Sequence, residues 1–295
     1  MKSSNGRNAV VILLIALALL FLHGVFMQCT GFHALHSESN LQSNLLRLHR
    51  YFSSSDPCQG VLVGSSISGR LYSEYFREQG VDVANLGLDG SRPIYSLDLL
   101  LDRGVIPKFI LIEANTIFWD YTGNDAAITK EIDSPTFRIG SWISPMSPEA
   151  RPSSVLFSML KSLQERSGSG IKVERKKDGS NVSVPVPDTY GKALELIRKL
   201  GEKGVPMALV SIPAGNRDPQ LEHLTKLAKE SRVPLITLRD RLPNMGDNLR
   251  YSDGLHLVQD SAKQVVNALV DALRQLKIVE GGRQGEDIPQ NTPRD

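Results

Sequence analysis

The sequence predicts an α/β protein: a doubly wound, parallel five-stranded sheet behind an N-terminal transmembrane helix. Three observations carry that expectation. An unbroken apolar run, AVVILLIALALLFL, fills residues 9–22. From residue 60 onward, short apolar segments of strand length alternate with segments whose apolar residues recur at helical spacing. The length of 295 residues, 41% of them hydrophobic and 22% charged, suits one large globular domain with appendages.

The apolar run continues past His23 and Gly24 through Val25, Phe26 and Met27. Residues 9–27 thus come close to the roughly 20 needed to cross a bilayer as a helix. Lys2 and Arg7 precede this segment, while 28–42 contains no Lys or Arg. That asymmetry keeps the tip in the cytoplasm and exports the body to the periplasmic or extracellular side. A cleaved signal peptide is the rival reading. An A-x-A site is missing, and Phe26-Met27-Gln28 ahead of Cys29 is a poor lipoprotein cleavage sequence, so a retained signal anchor is preferred. The expected organisation is a cytoplasmic tip and anchor over 1–27, a juxtamembrane stalk over 28–58, an α/β domain over 59–279 and a disordered polar tail over 280–295. Leu41, Leu45, Leu46 and Leu48 give part of the stalk helical character. Cys29 and Cys58 do not make a disulfide framework and are read as free thiols.

Within the body, strands are expected at 60–64, 81–86, 109–114, 207–212 and 235–238. Helices are expected at 69–79, 94–102, 189–203, 218–231 and 259–277. An insertion over 119–187, rich in Pro, Ser and Gly, breaks the alternation and holds one helix near 153–164. Strands separated by helices give a parallel sheet covered on both faces, in the flavodoxin-like manner. In such sheets sites form at the carboxyl ends of the strands.

Charge narrows the function classes. Lys2 and Arg7 are the only charged side chains before residue 38, so the rest of the chain, with 32 basic and 32 acidic residues, is neutral. A balanced body lacks the basic field of a nucleic-acid binder. Lys172, Arg175, Lys176 and Lys177 form a short basic cluster of the kind found in solvated loops. No His, Cys and carboxylate spacing fits a zinc site, and neither metal nor cofactor is expected.

Four segments at predicted strand ends carry chemistry. The first strand runs into Gly64-Ser65-Ser66, which sets a serine hydroxyl near the backbone amides of a helix start. The second ends in Asn85-Leu86-Gly87-Leu88-Asp89-Gly90, and the third in Glu113-Ala114-Asn115-Thr116. Each is also a common turn sequence. Tyr251-Ser252-Asp253-Gly254-Leu255-His256 precedes the last helix, and a carboxylate three residues ahead of a histidine can curl back onto one ring nitrogen. Of the six histidines only His256 has this setting. His23 lies in the anchor, His33, His36 and His49 in the stalk, and His223 is expected on the solvated face of a helix.

Taken in order, the four segments resemble the SGNH (GDSL-like) hydrolase family. The resemblance covers about 60–118 and 189–277. It implies Ser66 as nucleophile, with Asp253 and His256 completing a triad. It implies an oxyanion hole from the Ser66 and Gly90 backbone amides and the Asn115 side chain. The chain departs from the family pattern at three positions: Ser65 for the usual Asp, Glu113 for a Gly, and Thr116 for an Asp. The Gly-Ser-Ser block is similar to a membrane-anchored subgroup that includes D-alanine transfer and polysaccharide O-acetylation proteins. The implied activity is that of an exported serine esterase or O-acyltransferase, acting on acyl esters of envelope carbohydrate or lipid. A lipase differs from this only in its pocket. The alternative from another class is a catalytically silent module that binds a polysaccharide or a membrane O-acyltransferase partner. Trp119 and Trp142, the only tryptophans, lie in the insertion with Tyr121 and Phe137. They either offer aromatic faces to a sugar or form a small hydrophobic cover.

Overall fold

The computed structural model describes residues 3–30, 39–53, 60–143, 146–166, 171–172, 188–215, 220–242 and 249–279. Its strands are β1 (Gly60–Gly64), β2 (Val83–Gly87), β3 (Phe109–Glu113), β4 (Ile171–Lys172), β5 (Met207–Ser211), β6 (Leu235–Thr237) and β7 (Arg250–Tyr251). Five of them form one parallel sheet in the order β2-β1-β3-β5-β6, while β4 and β7 pair antiparallel. The register runs Gly60 to Val83 on one side and Gly60 to Phe109 on the other. This is the predicted α/β class. The chain leaves β1 to one side for β2 and crosses back for β3, so the crevice beside the end of β1 is a topological switch point.

Near-continuous apolar strands are what a sheet covered on both faces requires. Alternate residues feed two cores. Val61, Val63, Ile110, Ile112 and Leu209 point into one, and Leu62, Leu111, Ala208, Val210 and Ile236 into the other. The first core is closed by α2 (Asn40–Ser53), α4 (Pro93–Asp102), α8 (Thr189–Glu202) and α9 (Leu221–Ser231), the second by α3 (Ser73–Arg77), the one-turn α10 (Leu238–Arg241) and α11 (Gln259–Gln275).

Several expectations change. The helix expected over 69–79 is split into a single 3-10 turn, Ser68–Arg70, and the short α3. The Asn85 side chain takes the carbonyls of Ser68 and Leu71, at 2.8 and 2.6 Å, which a continuous helix would have bonded itself. The insertion is more regular than expected. It holds α5 (Asp125–Ile132), α6 (Pro135–Trp142) and α7 (Pro152–Arg166). Ser134 caps α6 by accepting from the Phe137 N–H at 3.3 Å, with Pro135 in the first turn. His223 is buried rather than solvated, edge-on to Phe118.

The largest correction concerns the stalk. Within 28–58, α2 packs into the body, with Leu45 and Leu48 buried in the first core. A helix with a leucine stripe gains stability only where that stripe is covered, and the sheet edge at β2 covers it. His49 is buried with it, its ring edge-on to Phe137. Ahead of α2, α1 (Ser3–Thr30) contains a 20-residue stretch, Asn8–Met27, long and apolar enough to cross a membrane. Most of its large apolar side chains are exposed, from Val10 to Phe26. Cys29 is exposed near its end, and Cys58 and the 280–295 tail lie outside the described residues.

Candidate active site

The turn after β1 is tightly held. Leu88 N–H bonds the Gly64 carbonyl at 2.9 Å, which ties the turn to the end of β2. The Ser65 hydroxyl accepts from the Ile67 N–H at 3.2 Å, and the Gly69 N–H returns to the Ser65 carbonyl at 2.9 Å. Ser66 sits at the apex of this turn, partly exposed, with its side chain directed away from the core.

The second half of the site is a loop pinned at its base. β7 leads into it, Tyr251 bridges Leu257, and the Ser252 N–H bonds the His256 carbonyl at 2.8 Å. Inside this loop the Asp253 carboxylate curls back. Its Oδ1 accepts from the backbone N–H groups of Leu255 and His256 at 3.1 and 2.9 Å, and its Oδ2 lies 2.6 Å from His256 Nδ1. His256 Nε2 then lies 2.8 Å from Ser66 Oγ, across 190 positions of sequence. The structure therefore joins Ser66, His256 and Asp253 in one hydrogen-bonded line. With Nδ1 facing a carboxylate, the proton of a neutral ring belongs on Nδ1, and Nε2 is left to accept from the serine.

Burial acts to raise the Asp253 pKa. The His256 N–H, the His256 ring and the Leu255 N–H outweigh it and hold the group at about 2. A carboxyl depressed from its ordinary 3.8 to about 2 stabilises the fold where it is ionised in both states, above about pH 5. That contribution fades as acid takes the pH through the unfolded value and is gone below the folded one. Asp253→Asn should thus lose stability relative to wild type at neutral pH. The gap should close between about pH 5 and pH 2, as read by urea unfolding at stepped pH. A gap that stays constant across this window would contradict the depressed value.

The other two sequence candidates lie at the same edge of the sheet. Asn115 follows β3, where its Oδ1 accepts from the Ile212 N–H and its Nδ2 donates to the Ile212 carbonyl, both at 2.8 Å. This reciprocal pair fixes the amide plane and uses only one of the two Nδ2 hydrogens. Gly90 follows β2 with φ of +69°, and a Cβ there would stand 3.0 Å from Asn124 Nδ2. Only glycine takes that backbone without strain. Its turn is held from outside. Asp89 exchanges backbone bonds with the Asn44 amide of α2 at 2.7 and 2.8 Å, Arg47 of α2 bonds the Gly87 carbonyl, and Asn124 Nδ2 donates to the Asp89 carbonyl at 3.2 Å. Two positions past Gly90, Arg92 Nη1 donates to the carbonyl of half-buried Trp119 at 2.9 Å. Trp142, by contrast, projects from the end of α6 with 90% of its surface exposed.

Beneath the serine turn lies a group that the sequence showed only as a departure. Glu113 is fully buried and accepts four donors. Ser65 N–H reaches Oε2 at 2.8 Å, Ser68 N–H reaches Oε2 at 3.1 Å, and Ser65 Oγ and Thr116 Oγ1 reach Oε1 at 2.9 and 2.8 Å. The three departures from the family pattern, at 65, 113 and 116, are thus one hydrogen-bonded cluster. Gly64 leaves it room, because a Cβ there would stand 2.5 Å from Glu113 Oε2. Asn44 and Arg47 were also missed as supports of the site; the apolar stripe of α2 was the available sign that its helix belongs to the body.

No family model matches the chain, and no curated protein matches it. Among solved structures, it is similar to a psychrotrophic esterase, EstA, from Pseudoalteromonas sp., in a form inhibited by monoethylphosphonate. The likeness covers 74% of this chain and 97% of that one, at 11% identity and a TM-score of 0.37. So distant a likeness carries no argument about the site, which rests on its own geometry.

Proposed function

We propose that the protein is an exported, membrane-anchored serine esterase or O-acyltransferase of the SGNH type, acting on ester-linked acyl groups of envelope carbohydrate or lipid. The observation that carries this reading is the line Ser66 Oγ–His256–Asp253, with links of 2.8 and 2.6 Å. Its two halves lie at opposite ends of the body's sequence, so local turn structure alone does not account for their meeting.

In the proposed reaction His256 Nε2 takes the Ser66 proton as Oγ attacks the ester carbonyl, and Asp253 stabilises the imidazolium. The tetrahedral oxyanion is met by the N–H groups of Ser66 and Gly90 and by the unspent Nδ2 hydrogen of Asn115. Collapse breaks the bond to the leaving oxygen, which receives the proton from His256. Water or a hydroxyl of a second substrate then attacks acyl-Ser66 with His256 again as base, and collapse breaks the acyl–Oγ bond as His256 returns the proton to Ser66. The anchor confines the enzyme to the membrane, which supports esters of the envelope as its substrates.

The test is chemical. The full chain in detergent should react with a fluorophosphonate probe at Ser66, and Ser66→Ala should abolish the label. Supplying an acetylated donor with a glycan acceptor then separates transfer from hydrolysis, since acylated acceptor forms only in the first case. A folded chain that neither takes the label nor turns over a short-chain ester would overturn the enzyme reading in favour of a silent module that binds a polysaccharide or a membrane acyltransferase.

A further inference from the structure

The insertion carries a surface that the proposed chemistry does not use. Ile139, Trp142 and Ile143 at the end of α6, then Met146, and then Leu156 and Leu160 one turn apart on α7, are all exposed. Surface apolar residues are ordinary when scattered, but these follow one another along a single stretch of chain. Between Arg138 and Lys161 the only charged residues are Glu149 and Arg151. Both turn inward onto α2: Glu149 lies 3.5 Å from Arg50 and 3.6 Å from His49, and Arg151 bonds the Gln42 side chain. The outward face of this segment is therefore left without charge.

The position of α1 says what this face meets. In its last turns Leu20, His23, Gly24 and Met27 are partly covered, at the spacing of one helical face, while Leu19, Phe21, Leu22, Val25 and Phe26 stay exposed. His23 Nε2 bonds the carbonyl of Ala150, which lies in the chain between Met146 and Leu156. The span Asn8–Met27 is about 30 Å long as a helix, which matches the hydrocarbon thickness of a bilayer. His23 lies about 6 Å inside its outer end at 1.5 Å per residue. Ala150 is thus held at the boundary between headgroups and acyl chains, and the exposed apolar residues precede and follow it in the chain. Tryptophan favours that boundary, where its ring is buried and its N–H meets water or headgroups.

We propose that α6, the 146–150 turn and the first half of α7 form a lipid-docking surface that lies in the outer leaflet beside the anchor. The proposal rests on the reading of α1 as a retained membrane helix. It goes beyond that reading in making the body a second, independent contact with the bilayer. α2 transmits the contact to the site: Gln42 and Arg50 hold the docked segment, His49 packs edge-on against Phe137 of α6, and Asn44 and Arg47 hold the turn that carries Gly90. The body is thereby set against the membrane instead of swinging on a tether.

The two tryptophans allow a direct test. In the full chain carrying Trp119→Phe, reconstituted into phosphatidylcholine and phosphatidylglycerol vesicles and excited at the red edge where tyrosine does not absorb, Trp142 is the sole tryptophan and the source of the emission. Its emission should shift to the blue, and acyl chains brominated near the headgroup should quench it more strongly than chains brominated near the bilayer centre. The difference between wild type and Trp142→Phe reads the same ring without touching Trp119. Water-like, unquenched emission from a chain that floats with the vesicles overturns the docking surface and leaves the anchor standing. A blue shift without quenching means that protein, such as a second copy, covers the face, and this also overturns it. A chain that fails to float removes the anchor and the docking surface together. Fluorophosphonate labelling in the same vesicles reports on the catalytic reading separately.

Discussion

Replacing His256 with alanine is expected to lower ester turnover by about 10,000-fold or more while leaving thermal unfolding close to wild type. The ring stands 2.8 Å from Ser66 Oγ, placed to accept its proton, and a serine hydroxyl with its proton in place is a poor nucleophile. The loop does not depend on the imidazole for its shape. Its Asp253 carboxylate still caps the N–H groups of residues 255 and 256, and Tyr251 still bridges Leu257. Ser66→Ala should fall to the same floor, and the double variant should fall no further, because the two side chains act as one unit. Asp253→Asn should cost less than either, since its side chain is half exposed and water can stand in for part of its contact with Nδ1. Initial rates on a short-chain ester with the detergent-solubilised full chain decide the matter. Rates for His256→Ala within tenfold of wild type would remove the imidazole from the mechanism.

How far the sequence revealed this site depended on how local each part was. Asp253 and His256 are three positions apart, and their bond is a property of one loop. The ends of β1, β2 and β3 were visible because five-residue apolar runs bounded by glycine or polar residues have few other uses. Strand boundaries shifted by two residues or fewer, as at β2, which begins at Val83 instead of residue 81. The structure differs from expectation where a segment's role is set by something distant. The leucines of α2 look the same in a free stalk and in a packed helix; the covering sheet edge decides between them. α5 and α6 are about two turns each, too short to stand out from a Pro- and Ser-rich background. The Glu113 cluster was hidden for a related reason. Ser65 and Glu113 are 48 positions apart, and only the pairing of β1 with β3, Val63 opposite Ile112, places one beside the other.

That pairing makes Glu113 the buried acceptor on which the serine turn closes, and its removal should show it. Glu113→Ala strips the partner from the N–H groups of Ser65 and Ser68, which have no route to solvent. An unsatisfied buried donor costs about 1–3 kcal/mol, so the two together should cost about 2–6 kcal/mol by urea unfolding, with the released hydroxyls of Ser65 and Thr116 adding to the loss. Because Ser66 stands between the two donors, fluorophosphonate labelling should fall as well, even where the variant remains folded. Glu113→Gln keeps the volume and one acceptor oxygen but turns an NH2 toward groups that also donate, so it should fall between alanine and wild type. The sharper comparison moves the carboxylate to where the resembled family carries it. An aspartate at 65 can cap the Ser68 N–H three residues on, as helix-capping carboxylates do. Glu113→Gly alone should be severely destabilised, and Ser65→Asp alone should place two carboxyl groups in one buried space. The double variant should recover most of both losses, a coupling well above the few tenths of a kcal/mol expected of independent sites. If the two losses simply add, the clustering of the three departures is a coincidence of position and Glu113 does not hold the turn that presents Ser66.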